Sequence, residues 1–162
     1  MENLHNSRHF RPTDPDDVSY FHRRIFIGRE DKGNRGIANM HDVENIFHKY
    51  DIYVFNPGVN STYAKQMFMF SHAELVIGVS GTGFSANIPF CHANNTVMIE
   101  IITPKPATGT GRMVATALGA KYYANFTGTY NASDNTKNAQ FYLNTTMLDR
   151  ILFSELSQLD RR

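Results

Sequence analysis

Short apolar runs alternating with stretches of helical periodicity constrain this chain more than any other feature. RRIFIG (23–28), DIYVF (51–55), AELVIGV (73–79), NTVMIEII (95–102) and KYYANF (121–126) read as strands. They are apolar without alternation, the pattern of strands covered on both faces. Behind Asn39, a candidate N-cap, Val43, Ile46, Phe47 and Tyr50 recur at helical spacing. A second helix begins near Ser61 or Thr62 and carries Tyr63, Met67 and Phe70 on one side. A short helix is expected around FSANIPF (84–90), and another over GRMVATALG (111–119), with Gly119 at the C′ position that favours glycine. The last spans about 145–159, with Leu148, Ile151, Leu152, Leu156 and Leu159 as its apolar stripe. The turn-rich stretch 125–139 reads as a surface loop. Residues 1–22 read as a polar lead-in, leaving one domain over 23–162.

Strand and helix in alternation predict an α/β fold: a Rossmann-like three-layer α/β/α sandwich with a mainly parallel sheet. In such sheets ligands sit beyond the carboxyl ends of the strands, where strand order reverses. The loops leaving the first and third strands are therefore the places to look for a site.

The chain's 162 residues suffice for one core, and its formal net charge of +1 gives no general attraction for nucleic acid or for anionic lipid. A bound anion would have to be held by local donors. The single cysteine, Cys91, excludes an internal disulfide and a cysteine-based zinc cage, and reads as a small buried apolar residue. No run approaches the roughly 20 apolar residues of a membrane span.

The loop after the third strand, VIGVSGTGFSAN (76–87), sets Gly78, Gly81 and Gly83 between an apolar strand and a helix. Glycine lets backbone approach a pyrophosphate closely, and Ser80, Thr82 and Ser85 add small hydroxyl donors. No Gly-Lys-Ser/Thr follows, so this is not a Walker loop, and a tight turn packed for its own sake explains the glycines equally well. The loop after the first strand holds Arg29 and Arg35. Guanidiniums there would neutralise a diphosphate, or else belong to a solvated loop with Glu30, Asp31 and Lys32. Glu100 lies inside the apolar strand VMIEII, where a carboxylate needs a partner; it would accept from ribose hydroxyls or pair with a structural arginine. The seven histidines show no metal-ligand spacing, and no general base can be assigned.

In order and spacing these pieces resemble the C-terminal region of glycosyltransferase family 61 over about Arg24 to Tyr123. The matching residues are Arg29, Arg35 and Asn39, then Gln66, the run ELVIGV and SGTGFSAN, then Ile99-Glu100, and last Leu118, Gly119 and Tyr122. Ser80 stands where the family has histidine, and Ala86 shifts the family's asparagine by one, to Asn87. The resemblance implies half of a GT-B glycosyltransferase that binds a nucleotide-diphosphate sugar. It implies transfer of the sugar to a hydroxyl of a glycan or glycoprotein, by a hexosyl- or pentosyltransferase, without a cofactor or a metal. On it, Arg29 and Arg35 face the diphosphate, the Ser80–Gly83 loop cradles it with Ser85 and Asn87 in the following helix, and Glu100 lies near the ribose.

A GT-B enzyme also needs an acceptor domain, supplied by a missing N-terminal half or a partner subunit. The alternatives are a non-catalytic nucleotide-sugar or glycan-binding module, and a domain like a polysaccharide pyruvyl transferase. Five N-x-S/T sequons, at Asn60, Asn94, Asn125, Asn131 and Asn144, are compatible with a secretory-pathway origin. With no signal segment at Met1, the expectation is a cytoplasmic protein of polysaccharide biosynthesis, with the Golgi lumen as the alternative.

Overall fold

All five apolar runs join one sheet. The computed structural model describes residues 22–28, 36–57, 61–102, 110–120, 123–127, 129–130 and 140–159. Its strands are β1 (Arg24–Ile27), β2 (Tyr53–Phe55), β3 (Leu75–Val79), β4 (Val97–Ile102) and β5 (Tyr123–Thr127). They lie in the order β2-β1-β3-β4-β5, and each neighbouring pair is parallel. The expected lead-in falls outside the described residues over 1–21.

The helices follow from that order. Crossovers between parallel strands are right-handed, so reversing the direction of travel moves the helix to the other face. The step from β1 to β2 runs one way and carries α1 (Met40–Lys49). The later steps run the other way and carry α2 (Tyr63–Ser71), α3 (Thr82–Asn87) with a 3₁₀ turn at Ile88–Phe90, and α4 (Thr110–Ala117). The final helix, α5 (Thr145–Leu159), returns to α1. Two cores result, made from alternate residues of the same strands. Phe26, Ile77, Ile99 and Ile101 pack with Phe47, Leu148, Leu152 and Leu156; Ile25, Ile27, Val76 and Met98 pack with Phe70, Phe84, Ile88 and Ala115.

Local signals explain the helix ends. Thr62 caps α2 by accepting from the Lys65 N–H. Gly119 takes φ 69° after α4, and the Gly119 and Ala120 N–H groups close back on Thr116 and Ala115. The same closure ends α1, but there the left-handed residue is Asp51, at φ 52°.

Three expectations need correction. Asn39 occupies the cap position of α1, but its side chain makes no cap bond. Its carboxamide instead donates to the Leu143 carbonyl (2.9 Å) and accepts from the Leu143 N–H (3.0 Å). An amide side chain matches a peptide group donor for acceptor, and this pairing ties the C-terminal segment to the body. Tyr63 does not share the buried side of α2: it is 68% exposed, and Met69 and Phe70 fill the core. The stretch predicted as loop from 125 begins as strand. β5 runs to Thr127, then β6 (Thr129–Tyr130) pairs antiparallel with β7 (Phe141–Tyr142). Residues 131–139 of that loop lie outside the described residues.

Candidate functional site

The strand order reverses between β1 and β3. The chain leaves β1 toward β2 and leaves β3 toward β4, so the two connections part and open a crevice at the carboxyl edge. Gly28 ends β1 there, donating to the Phe55 carbonyl at 2.7 Å. A side chain at Gly28 would collide with the Asn56 carboxamide, which crosses above it. Opposite, Gly83 lies over the tip of β1: a methyl on it would stand 3.9 Å from Ile27 Cγ2 and 4.0 Å from Pro57 Cγ. The crevice is thus floored by backbone and flanked by Asn56-Pro57 on one side and Gly81–Gly83 on the other.

Within the loop after β3, Ser80 is not at the surface. It is 1% exposed, and its N–H donates to the Ile101 carbonyl at 2.9 Å, extending the β3–β4 ladder by one residue. The outward groups are Gly81, half-buried, and Thr82 and Gly83, exposed. Ser85 Oγ donates to the Gly81 carbonyl at 3.1 Å, and Asn87 Nδ2 to the Gly83 carbonyl at 2.7 Å. Both side chains hold the shape of α3, and Asn87 is buried while doing so. Because α3 has six residues, its dipole is small, and the backbone surface of the loop matters more than the helix field. Arg29 and Arg35 belong to the connection that leaves β1 beside this crevice and lie outside the described residues.

Glu100 pairs in register with Gly78 of β3 and Asn125 of β5, on the face under α3 and α4. It is fully buried, so it sits beneath the edge and not on it. Gly111, in the first turn of α4, covers it: a methyl there would meet Glu100 Oε1 at 2.7 Å and the Phe84 ring at 2.8 Å. Gly78 gives the same ring its place from below, 2.5 Å from where a methyl would stand. Gly78 therefore serves packing: it seats Phe84, and Phe84 seats the turn that presents Gly83.

Sequence reasoning missed Gly28, Asn56 and Gly111. A glycine ending the first strand and the Asn56-Pro57-Gly58 turn ending the second were both visible; that they meet was not. Other candidates fall away. Cys91 is buried, and burial pushes its thiol up to about 12, which makes it inert as a nucleophile. Among the described residues no group of three or more His, Cys, Asp and Glu is placed to hold a metal ion. At the opposite edge Glu74 bonds Arg23 (2.8 Å) and Arg24 (2.7 Å), and Arg24 also donates to the Tyr50 carbonyl. Those charges fasten β1, β3 and the end of α1 together. No helix of the described residues is long and apolar enough to cross a membrane.

An all-parallel sheet with an open, glycine-floored switch point defines an α/β domain of the class that takes ligands at its carboxyl edge. Residues 1–99 match the family model described as Glycosyltransferase 61, and the chain belongs to that family. The matched stretch contains the whole crevice and ends one residue before Glu100. A search of curated proteins finds no match.

Proposed function

We propose that the crevice between β1 and β3 binds the diphosphate of a nucleotide-sugar donor, and that this chain is the donor-binding half of a GT-B glycosyltransferase. The carrying observation is the strand order, which reverses at the point where Gly28, under the Asn56 carboxamide, faces the loop Gly81–Gly83. Membership of a glycosyltransferase family supplies the chemical class, a sugar donor and an acceptor.

Glycosyl transfer breaks the bond from the anomeric carbon to the diphosphate oxygen while an acceptor hydroxyl oxygen bonds to that carbon and releases its proton. Negative charge grows on the departing diphosphate. Arg29 and Arg35, in the connection leaving β1, are the residues we assign to meet that charge, with no metal required. Thr82 and the N–H groups of the loop hold the diphosphate in place. Glu100 acts from below as a positioning residue for the first turn of α4, in place of the ribose contact that the resemblance implies. The acceptor is a glycan or glycoprotein hydroxyl, held by a separate domain or a partner subunit.

One observation favours a second reading, a binding module without turnover. Ser80 stands at the family's histidine position, is buried, and offers no ionisable group to the leaving phosphate. Titrating the protein with UDP- and GDP-sugars tests both readings. Saturable binding, weakened about tenfold or more by Arg29→Ala or Arg35→Ala, is the expected result for a lost charge-assisted bond. No saturable binding to any nucleotide would sink both. Donor hydrolysis by the bound protein would then argue against the second.

A further inference from the structure

A diphosphate resting on Gly81–Gly83 at the end of β3 leaves two directions along the strand edge. Toward β4 lies the first turn of α4, with the Glu100 carboxylate sealed beneath Gly111 and Phe84. Toward β1 and β2 lies Asn56, exposed at the end of β2 and followed by Pro57. Pro57 restricts the backbone of Asn56 to extended conformations. A side chain at Gly28 would have to push the Asn56 carboxamide aside, because the carboxamide takes that space. The fold thus keeps a polar group over the end of β1 at the expense of a side chain from β1 itself.

The chemistry of the two directions differs. A diphosphate offers acceptors only, which suits arginine and backbone N–H groups. A sugar offers hydroxyls that both donate and accept, and a carboxamide carries a donor and an acceptor in one plane. Building on the donor-binding reading above, we infer that Asn56 contacts the transferred sugar, and that Gly28 sets where the carboxamide stands. The nucleoside then lies on the β4 side, and the sugar points across β1 toward β2.

The test compares bare nucleotides with sugar nucleotides on the full chain. UDP and GDP are titrated beside UDP-glucose, UDP-xylose, UDP-N-acetylglucosamine and GDP-mannose, using wild type, Asn56→Ala and Gly28→Ala, with thermal melts to verify folding. Wild type is expected to bind one sugar nucleotide more tightly than its bare nucleotide. Asn56→Ala removes that advantage, about tenfold for a lost hydrogen bond, and leaves the bare nucleotide's affinity unchanged. Gly28→Ala, which displaces Asn56 and also crowds the crevice floor, is expected to weaken both ligands, the sugar nucleotide more than the bare nucleotide. Three results would overturn the assignment and leave donor binding standing: no sugar-dependent advantage in wild type, an equal loss for nucleotide and sugar nucleotide in Asn56→Ala, or no loss at all. Failure of wild type to bind any nucleotide would instead remove the donor reading on which the assignment rests.

Discussion

The face of the sheet under α1 and α5 and the face under α2 to α4 come from alternate residues of the same strands. Under α1 and α5 the strands' buried contributions to the core are all apolar: Phe26, Leu75, Ile77, Val79, Val97, Ile99 and Ile101. That face is then latched, by Asn39 on Leu143 and by Asp149 accepting from Lys49 (2.7 Å) and from the Tyr50 hydroxyl (2.8 Å). Under α3 and α4 the same strands supply Gly78 and Glu100, side by side in register. Within the sheet's own strands, the glycine and the buried carboxylate near the carboxyl edge lie on this second face. On the proposed reading, stability and ligand recognition are thereby assigned to opposite faces of the sheet.

If that separation holds, mutations on the two faces should fail in different ways. The largest effect is expected from Phe47→Ala on the latched face, where the ring is 1% exposed and packs on Phe26 at 4.7 Å between centroids. Denaturant unfolding should show a loss of about 3–5 kcal/mol. Nucleotide affinity of the protein that remains folded should not change; a matching loss of affinity would break the comparison.

Gly111→Ala on the other face should cost less stability, about 1–3 kcal/mol for overpacking against Glu100 and Phe84. Its affinity for nucleotide should nonetheless fall, because Phe84 supports the turn that presents Gly83. A variant with lowered melting temperature and intact affinity would show that the α4 turn does not shape the crevice.

The smallest effect concerns the exposed latch. Hydrogen bonds from Lys49 and then Tyr50 hold the Asp149 carboxyl below its ordinary value. A carboxyl depressed in the folded state adds stability above its unfolded pKa, about 4, and the contribution is lost as pH falls through the folded value. The melting temperatures of wild type and Asp149→Asn should therefore differ slightly at neutral pH and converge in acid. A gap that widens in acid would contradict this assignment of the latch.

The layers of the fold were legible because strands covered on both faces and amphipathic helices leave different periods. Even single residues could be read where a local rule governs them, as for Gly119 and for the span of α5. What escaped depends on distance along the chain. Asn39 looked like a cap because caps are local, whereas its true partner lies 104 residues away. The two-residue strands β6 and β7 are too short to show alternation. At the site, the glycines of 78–83 were visible as a cluster, but their roles divided only in three dimensions: Gly78 packs under Phe84, while Gly83 faces outward. Glu100 was noticed for its charge in an apolar strand, and its burial beneath Gly111 required the fold.

On the proposed reading, ligand binding belongs to the carboxyl edge at the reversal of strand order. Amide chemical-shift mapping of the labelled 18.4 kDa protein during a UDP-sugar titration tests it most directly. Saturable shifts are expected to cluster at Gly28, Asn56, Gly81–Gly83 and Gly111, with the Arg23–Glu74 edge and α5 silent. Shifts centred on the Arg23–Glu74 edge, or no saturable shifts with any sugar nucleotide, would contradict it.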